Sequence, residues 1–283
     1  MSVLKKLAGE TALYGLSSIV GRFINYLLVP LHTWIFGKPS DLSPTVDLFA
    51  FVAVMNIIYT FGFETGFFRY ASKTGDLRKY YDQTLTSVII LSGILSLSIA
   101  LGASAIAEAM NYPDKAHIVI WLSVIMFIDA TVTIPFARLR LERRAKRFVF
   151  VKIINILVIV ALNTFFLVLC KGIYEGQFLL TWSQEVAWVY RPDWSVEYIF
   201  LSNLIANALF IWLLRDLFID FQFQFSKSLF IELWNYSFPV MILGLIGMVN
   251  LMTDRMFLKY LLPEKFYPNR TSADALSIYG QCY

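Results

Sequence analysis

The chain alternates long apolar runs with short polar joints. A helix needs about 20 apolar residues to cross a hydrocarbon layer, at roughly 1.5 Å per residue. By that measure the sequence predicts seven spans: Thr11–Phe36, Val46–Tyr70, Thr84–Ala107, Ile118–Ala137, Phe148–Leu169, Tyr198–Leu214 and Leu233–Leu258. An eighth apolar stretch begins near Ala273, and Leu276–Tyr283 has no cap or polar tail. We therefore expect the chain to stop inside a helix, as a fragment of a longer protein. The basic segment Met1–Lys6 precedes a run too long for a signal-peptide core, so the first span is read as uncleaved.

The joints give an orientation. Of the 24 Lys and Arg, 15 fall at the N-terminus or in the second, fourth and sixth joints, counting Lys152 with the fourth. Only 7 fall in the other joints, and Arg22 and Arg255 lie inside spans. Basic joints stay in the cytoplasm, so the N-terminus is expected inside. The cluster Arg138–Arg147 reads as part of this signal and as a contact for anionic lipids, not for nucleic acid.

Composition agrees with a bilayer as solvent. The chain is 58% hydrophobic and 16% charged, against about 45–50% and about 25% in soluble domains. Cys170, Cys282, His32 and His117 have no metal-ligand spacing, so no metal, disulfide or cofactor is expected, and the four read as packing or interfacial residues. The longest joint, Lys171–Val196, carries Trp182, Trp188, Tyr190 and Trp194, which suit either an interfacial aromatic belt or a platform on which sugars stack.

Charges inside spans are the candidate chemistry. Burying one at the bilayer centre costs at least ~2.5 kcal/mol, so it usually marks a pathway or a site. Arg22 lies ~18 Å into the first span, Asp129 is similarly deep in the fourth, Glu64 is in the second, and Asp254 and Arg255 are near the end of the seventh. A wet cavity lined by these groups is the economical arrangement. Asn203 and Asn207 share a face of the sixth span, Asn25 shares one with Arg22, and Asn155 and Asn163 lie two turns apart on the fifth. Gly62 and Gly66 flank Glu64 with a spacing that permits close helix approach. An Arg22–Glu64 ion pair without a transport role is the alternative reading, and Arg69, at a boundary, can also snorkel. Pro30, Pro135 and Pro239 suit either helices that bend or static kinks.

Three segments carry a resemblance. Leu13–Leu31 (LYGLSSIVGRFINYLLVPL), Tyr59–Tyr70 (YTFGFETGFFRY) and Tyr236–Tyr260 (YSFPVMILGLIGMVNLMTDRMFLKY) resemble the first, second and seventh helices of bacterial polysaccharide-export flippases of the multidrug/oligosaccharidyl-lipid/polysaccharide superfamily. The resemblance implies an all-α, two-lobed membrane protein. Residues 1–220 would form the six-helix N-terminal lobe and 221–283 the start of the second. It implies a multi-pass protein of the bacterial inner membrane that flips undecaprenyl-diphosphate-linked oligosaccharide, without catalysis. Its partners would be the lipid-linked oligosaccharide, membrane lipids and other polysaccharide-assembly proteins. Arg22, Arg69 and Arg255 would hold the diphosphate, since Arg offers a planar donor fork to phosphate oxygens. Glu64, Asp129, Asn25, Asn203, Asn207 and Asp254 would line the cavity or couple transport to an ion. A multidrug antiporter of the same superfamily, for which Arg22 at mid-depth is ill suited, and a membrane glycan polymerase or glycosyltransferase are the alternatives.

Overall fold

The computed structural model describes Gly15, Ile19, Tyr26 and residues 28–177, 183–263 and 271–282. All regular structure among the described residues is helical. We label α1 (28–35), α2 (Ser43–Thr60), α3 (Phe63–Thr74), α4 (Leu77–Leu101), α5 (Ala103–Ala109), α6 (Ala116–Leu141), α7 (Ala145–Thr164), α8 (Ser183–Val189), α9 (Glu197–Leu213), α10 (Arg215–Ile219), α11 (Lys227–Tyr260) and α12 (Ser272–Cys282). Among the described residues, five stretches are long and apolar enough to cross a membrane: Pro39–Thr74, Leu77–Leu101, Pro113–Leu141, Ala145–Tyr174 and Lys227–Tyr260. The chain is an all-α membrane protein. Helix α9, with 17 residues, is shorter, at roughly 26 Å.

Several expected boundaries are corrected. The second span is broken: Phe61 and Gly62 both take left-handed backbone (φ 49° and 66°), so α2 ends and α3 starts afresh just before Glu64. The third ends at Leu101, with Ala103–Ala109 forming a separate helix. The fourth runs on to Leu141, which puts Arg138 and Arg140 on a helix and not in a joint. Lys152, counted with that joint, lies two turns inside α7. Pro30, Pro135 and Pro239 all sit within continuing helix. Helix α7 runs on through a π-helical stretch, Phe165–Cys170, and one more turn to Tyr174.

Packing centres on α6, which touches α2, α3, α4, α5, α7 and α9. Hydropathy does not single it out: the apolar windows of α4 and α6 are equally hydropathic, yet 39% of one and 67% of the other is buried. Lipid chains are as apolar as leucine, so membrane helices choose neighbours by close fit and polar contacts. Helix α11 packs on α2 and α3. The closest approach is at Gly62 and Gly66, where a side chain would meet the backbone and hydroxyl of Ser237.

Polar contacts tie the two ends of the bundle. At one end Lys259 pairs with Asp47, and Lys115 with Glu197. At the other, Arg138 bonds Glu142 (2.7 Å) and Asp220 (3.3 Å), and Arg147 grips Asp216 with both ends of its fork. There the segment entering α11 is laced onto α4. The N–H groups of Gln222, Gln224 and Ser226 donate to Asp82 (3.2 Å), Thr86 (3.2 Å) and Gln83 (2.7 Å). Three backbone donors spaced by two residues thus serve one helix.

Arg147 holds the Asp216 carboxyl below the usual carboxylate range. A depressed carboxylate contributes stability above its unfolded pKa, about 3.9, and loses it as pH falls through the lower folded value. We therefore expect the gap in thermal stability between wild type and Arg147→Ala to stay level from neutral pH to about 5 and to close on acidification below about 4. A gap that widens in acid contradicts this.

Candidate functional site

The helix break at Phe61–Gly62 sets Glu64 in the first turn of α3, where it pairs with Arg140 in the last turn of α6. The Arg140 guanidinium also lies over Phe68 (5.1 Å) and Phe148 (5.6 Å), and its Nε is buried without a partner. Beside it Lys152 of α7 rests on the rings of Phe136 (4.4 Å) and Phe210 (5.1 Å). Lys152 makes no ion pair within 4.0 Å among the described residues, but it feels the charges of Asp129, Arg140 and Glu64.

Asp129, partly buried near the middle of α6, accepts a hydrogen bond from Asn207 Nδ2 at 3.0 Å. The Asn207 Oδ1 accepts from Asn155 Nδ2 at 3.2 Å, and the same Asn155 amide donates to the Ala206 carbonyl at 2.7 Å. A line of polar groups thus crosses α3, α6, α7 and α9 inside an apolar bundle. Two acids and two bases make it neutral overall. Its acid near mid-bundle is held by a neutral amide, which leaves Lys152 short of a direct partner.

Asn203, one helical turn from Asn207, joins a different group. Its Nδ2 donates to its own helix at Ile199 (2.8 Å), and it lines a cavity with His32, Thr45 and Asn163. Because α7 and α9 run antiparallel, Asn155 meets Asn207 while Asn163 lies in the layer of Asn203. The two expected Asn faces therefore form two separate polar layers.

The remaining candidates lie apart from this interior. Arg69 is exposed and stacks on Tyr236 at 4.2 Å. Asp254 is exposed and accepts from the Tyr279 hydroxyl, with Arg255 next to it on α11. Arg22 and Asn25 lie outside the described residues. Glu64 pairs with Arg140, and the alternative pair with Arg22 lies outside the described residues. In the long joint, Tyr190 is 7% exposed and stacks on Tyr198 at 5.3 Å. Trp194 packs on Trp121 (5.3 Å) and His117 (6.1 Å). Both are committed to packing, whereas Trp188 is 92% exposed and Trp182 lies outside the described residues.

Compared with family models, with curated proteins and with solved structures, the chain matches none.

Sequence reasoning missed Arg140 and Lys152 because both were assigned to a cytoplasmic joint. Lys152 was detectable: it sits inside the apolar run Phe148–Leu169, three residues before Asn155 and so on its face.

Proposed function

We propose that the protein exports an anionic lipid-linked glycan, flipping undecaprenyl-diphosphate-linked oligosaccharide across the bacterial inner membrane with its N-terminus in the cytoplasm. In this reading residues 1–220 form the N-terminal lobe and 221–283 open the second. The observation that carries it is Lys152, a cation inside the apolar bundle with no carboxylate within ion-pair distance among the described residues. A half-buried ammonium beside Arg140 is costly without an anion and so marks a pathway. A diphosphate supplies that anion, while the lipid tail stays in the bilayer and only the head group crosses. Glu64 and Asp129 then balance the two cations when no substrate is bound, and the arriving diphosphate takes over that role beside Arg140 and Lys152. Arg22, on the first span, keeps the diphosphate role that the resemblance implies. Arg69 and Arg255 serve nearer the two membrane faces.

The test is flipping of a fluorescent polyprenyl-diphosphate oligosaccharide in proteoliposomes, read by quenching from outside. Lys152→Met is expected to lower the rate at least ~10-fold, the worth of one charge-assisted hydrogen bond to phosphate, and Lys152→Arg to keep most of it. With both lobes present, unchanged flipping in Lys152→Met rejects the role of this residue, and no flipping by wild type rejects the function.

A further inference from the structure

The cavity lined by Asn203 and His32, about 280 Å³, lies between α1, α2, α7 and α9, away from the Glu64–Asp129 line. Three polar groups in it are unspent. The Thr45 hydroxyl, on a residue only 6% exposed, has no hydrogen-bond partner among the described residues. Asn203 uses its amide nitrogen on Ile199, which leaves Oδ1 open among the described residues. Asn163 uses its own nitrogen on Ile159 (2.9 Å), so its Oδ1 faces His32 Nε2 at 3.2 Å and must accept. In neutral His32 the proton then sits on Nε2, and Nδ1 is left as an acceptor. A buried hydroxyl without a partner costs on the order of 1–3 kcal/mol, which an arriving ligand can recover.

The set of open groups selects the ligand. Two acceptors and one hydroxyl call for several O–H donors and one acceptor oxygen. An anion would meet two acceptor lone pairs, and no Lys or Arg among the described residues lines the space. A cation would find no carboxylate among them. Phe49, packed on Phe200 at 5.0 Å, supplies an apolar wall of the kind a sugar face covers. Directly after Asn163, α7 leaves α-helical geometry for the π-helical stretch Phe165–Cys170, a distortion frequent at functional sites.

We propose that this cavity binds one neutral pyranose unit, with Thr45, Asn203 and His32 Nδ1 as its hydrogen-bonding groups. The proposal deepens the export reading and rests on it for biological meaning: this cavity would read the sugar, whereas Arg140 and Lys152 would grip the diphosphate.

Saturation-transfer NMR on the full chain in nanodiscs tests it, with methyl glucopyranoside and its anionic counterpart, methyl glucuronide, as probes. Wild type is expected to transfer saturation to the ring protons of the neutral glycoside and at least ~5-fold less to the glucuronide. The near-isosteric Thr45→Val, combined with Asn203→Leu, is expected to weaken binding at least ~10-fold, as loss of two hydrogen bonds predicts, and Thr45→Ser to retain it. That pattern supports the site whatever the flipping assay shows. No transfer in wild type (a cavity holding only water), equal binding of the glucuronide, or undiminished binding in the double variant overturns it.

Discussion

Arg140→Ala is expected to destabilise the protein by about 2–3 kcal/mol, the worth of a charge-assisted hydrogen bond between part-buried partners. The physical cause is Glu64. Its carboxylate sits in the first turn of α3, inside the membrane region, with Arg140 as its ion-pair partner. Removing the guanidinium also strips the cover from Phe68 and Phe148. The double variant Glu64→Gln with Arg140→Ala should recover a large part of the loss, because no charge is then left unpaired. Unfolding in mixed detergent micelles measures both. A double variant as unstable as the sum of the two single ones shows that the pair does not interact and removes this link between α3 and α6.

Gly62→Ala is expected to be as damaging, by about 3 kcal/mol, and for unrelated reasons that add. Gly62 has φ 66°, where any other residue costs roughly 1–2 kcal/mol. A Cβ there would also press against the carbonyl oxygen of Ser237 and approach the Met241 nitrogen at 3.2 Å. Both are backbone atoms of α11, so no side chain can swing away to relieve the contact, and overpacking of this kind costs about 1–3 kcal/mol more. The variant should loosen α11 from α2 and α3 while leaving α4, α6, α7 and α9 packed. Protease access to the 221–226 segment, measured beside global unfolding, separates that outcome from general collapse. A variant as stable as wild type shows that α11 does not seat on this glycine.

The neighbouring Phe61 is also left-handed, at φ 49°, without glycine's freedom. It is held by a backbone bond to Ile58 (3.0 Å) and by contact with Trp234 of α11 at 5.8 Å. Strain of this sort persists only where packing over-determines it. Its consequence here is to restart the helix so that Glu64 falls in a first turn facing Arg140. The Gly62–Gly66 spacing announced a close helix approach in the sequence. It could not announce that both glycines meet Ser237, or that the helix breaks between them and α2.

By itself the sequence determined the solvent of this protein, its helical class and the approximate extent of the second, third, fourth, fifth and seventh spans. These follow from local quantities: the length of an apolar run against the thickness of a bilayer, and the need for every backbone group in lipid to bond within its own helix. It also marked Glu64, Asp129, Asn203 and Asn207 as polar groups in apolar surroundings. Only the tertiary structure decided which of them meet. A helical period places Asn203 and Asn207 on one face, yet the antiparallel register of α7 against α9 sends one to Asp129 and the other to His32. Likewise, no count of apolar residues distinguishes the buried α6 from the more exposed α4. Lipid and protein interior are alike to a hydrophobic side chain, so burial in a membrane is settled by shape and by long-range polar pairing, neither of which is written in a local window.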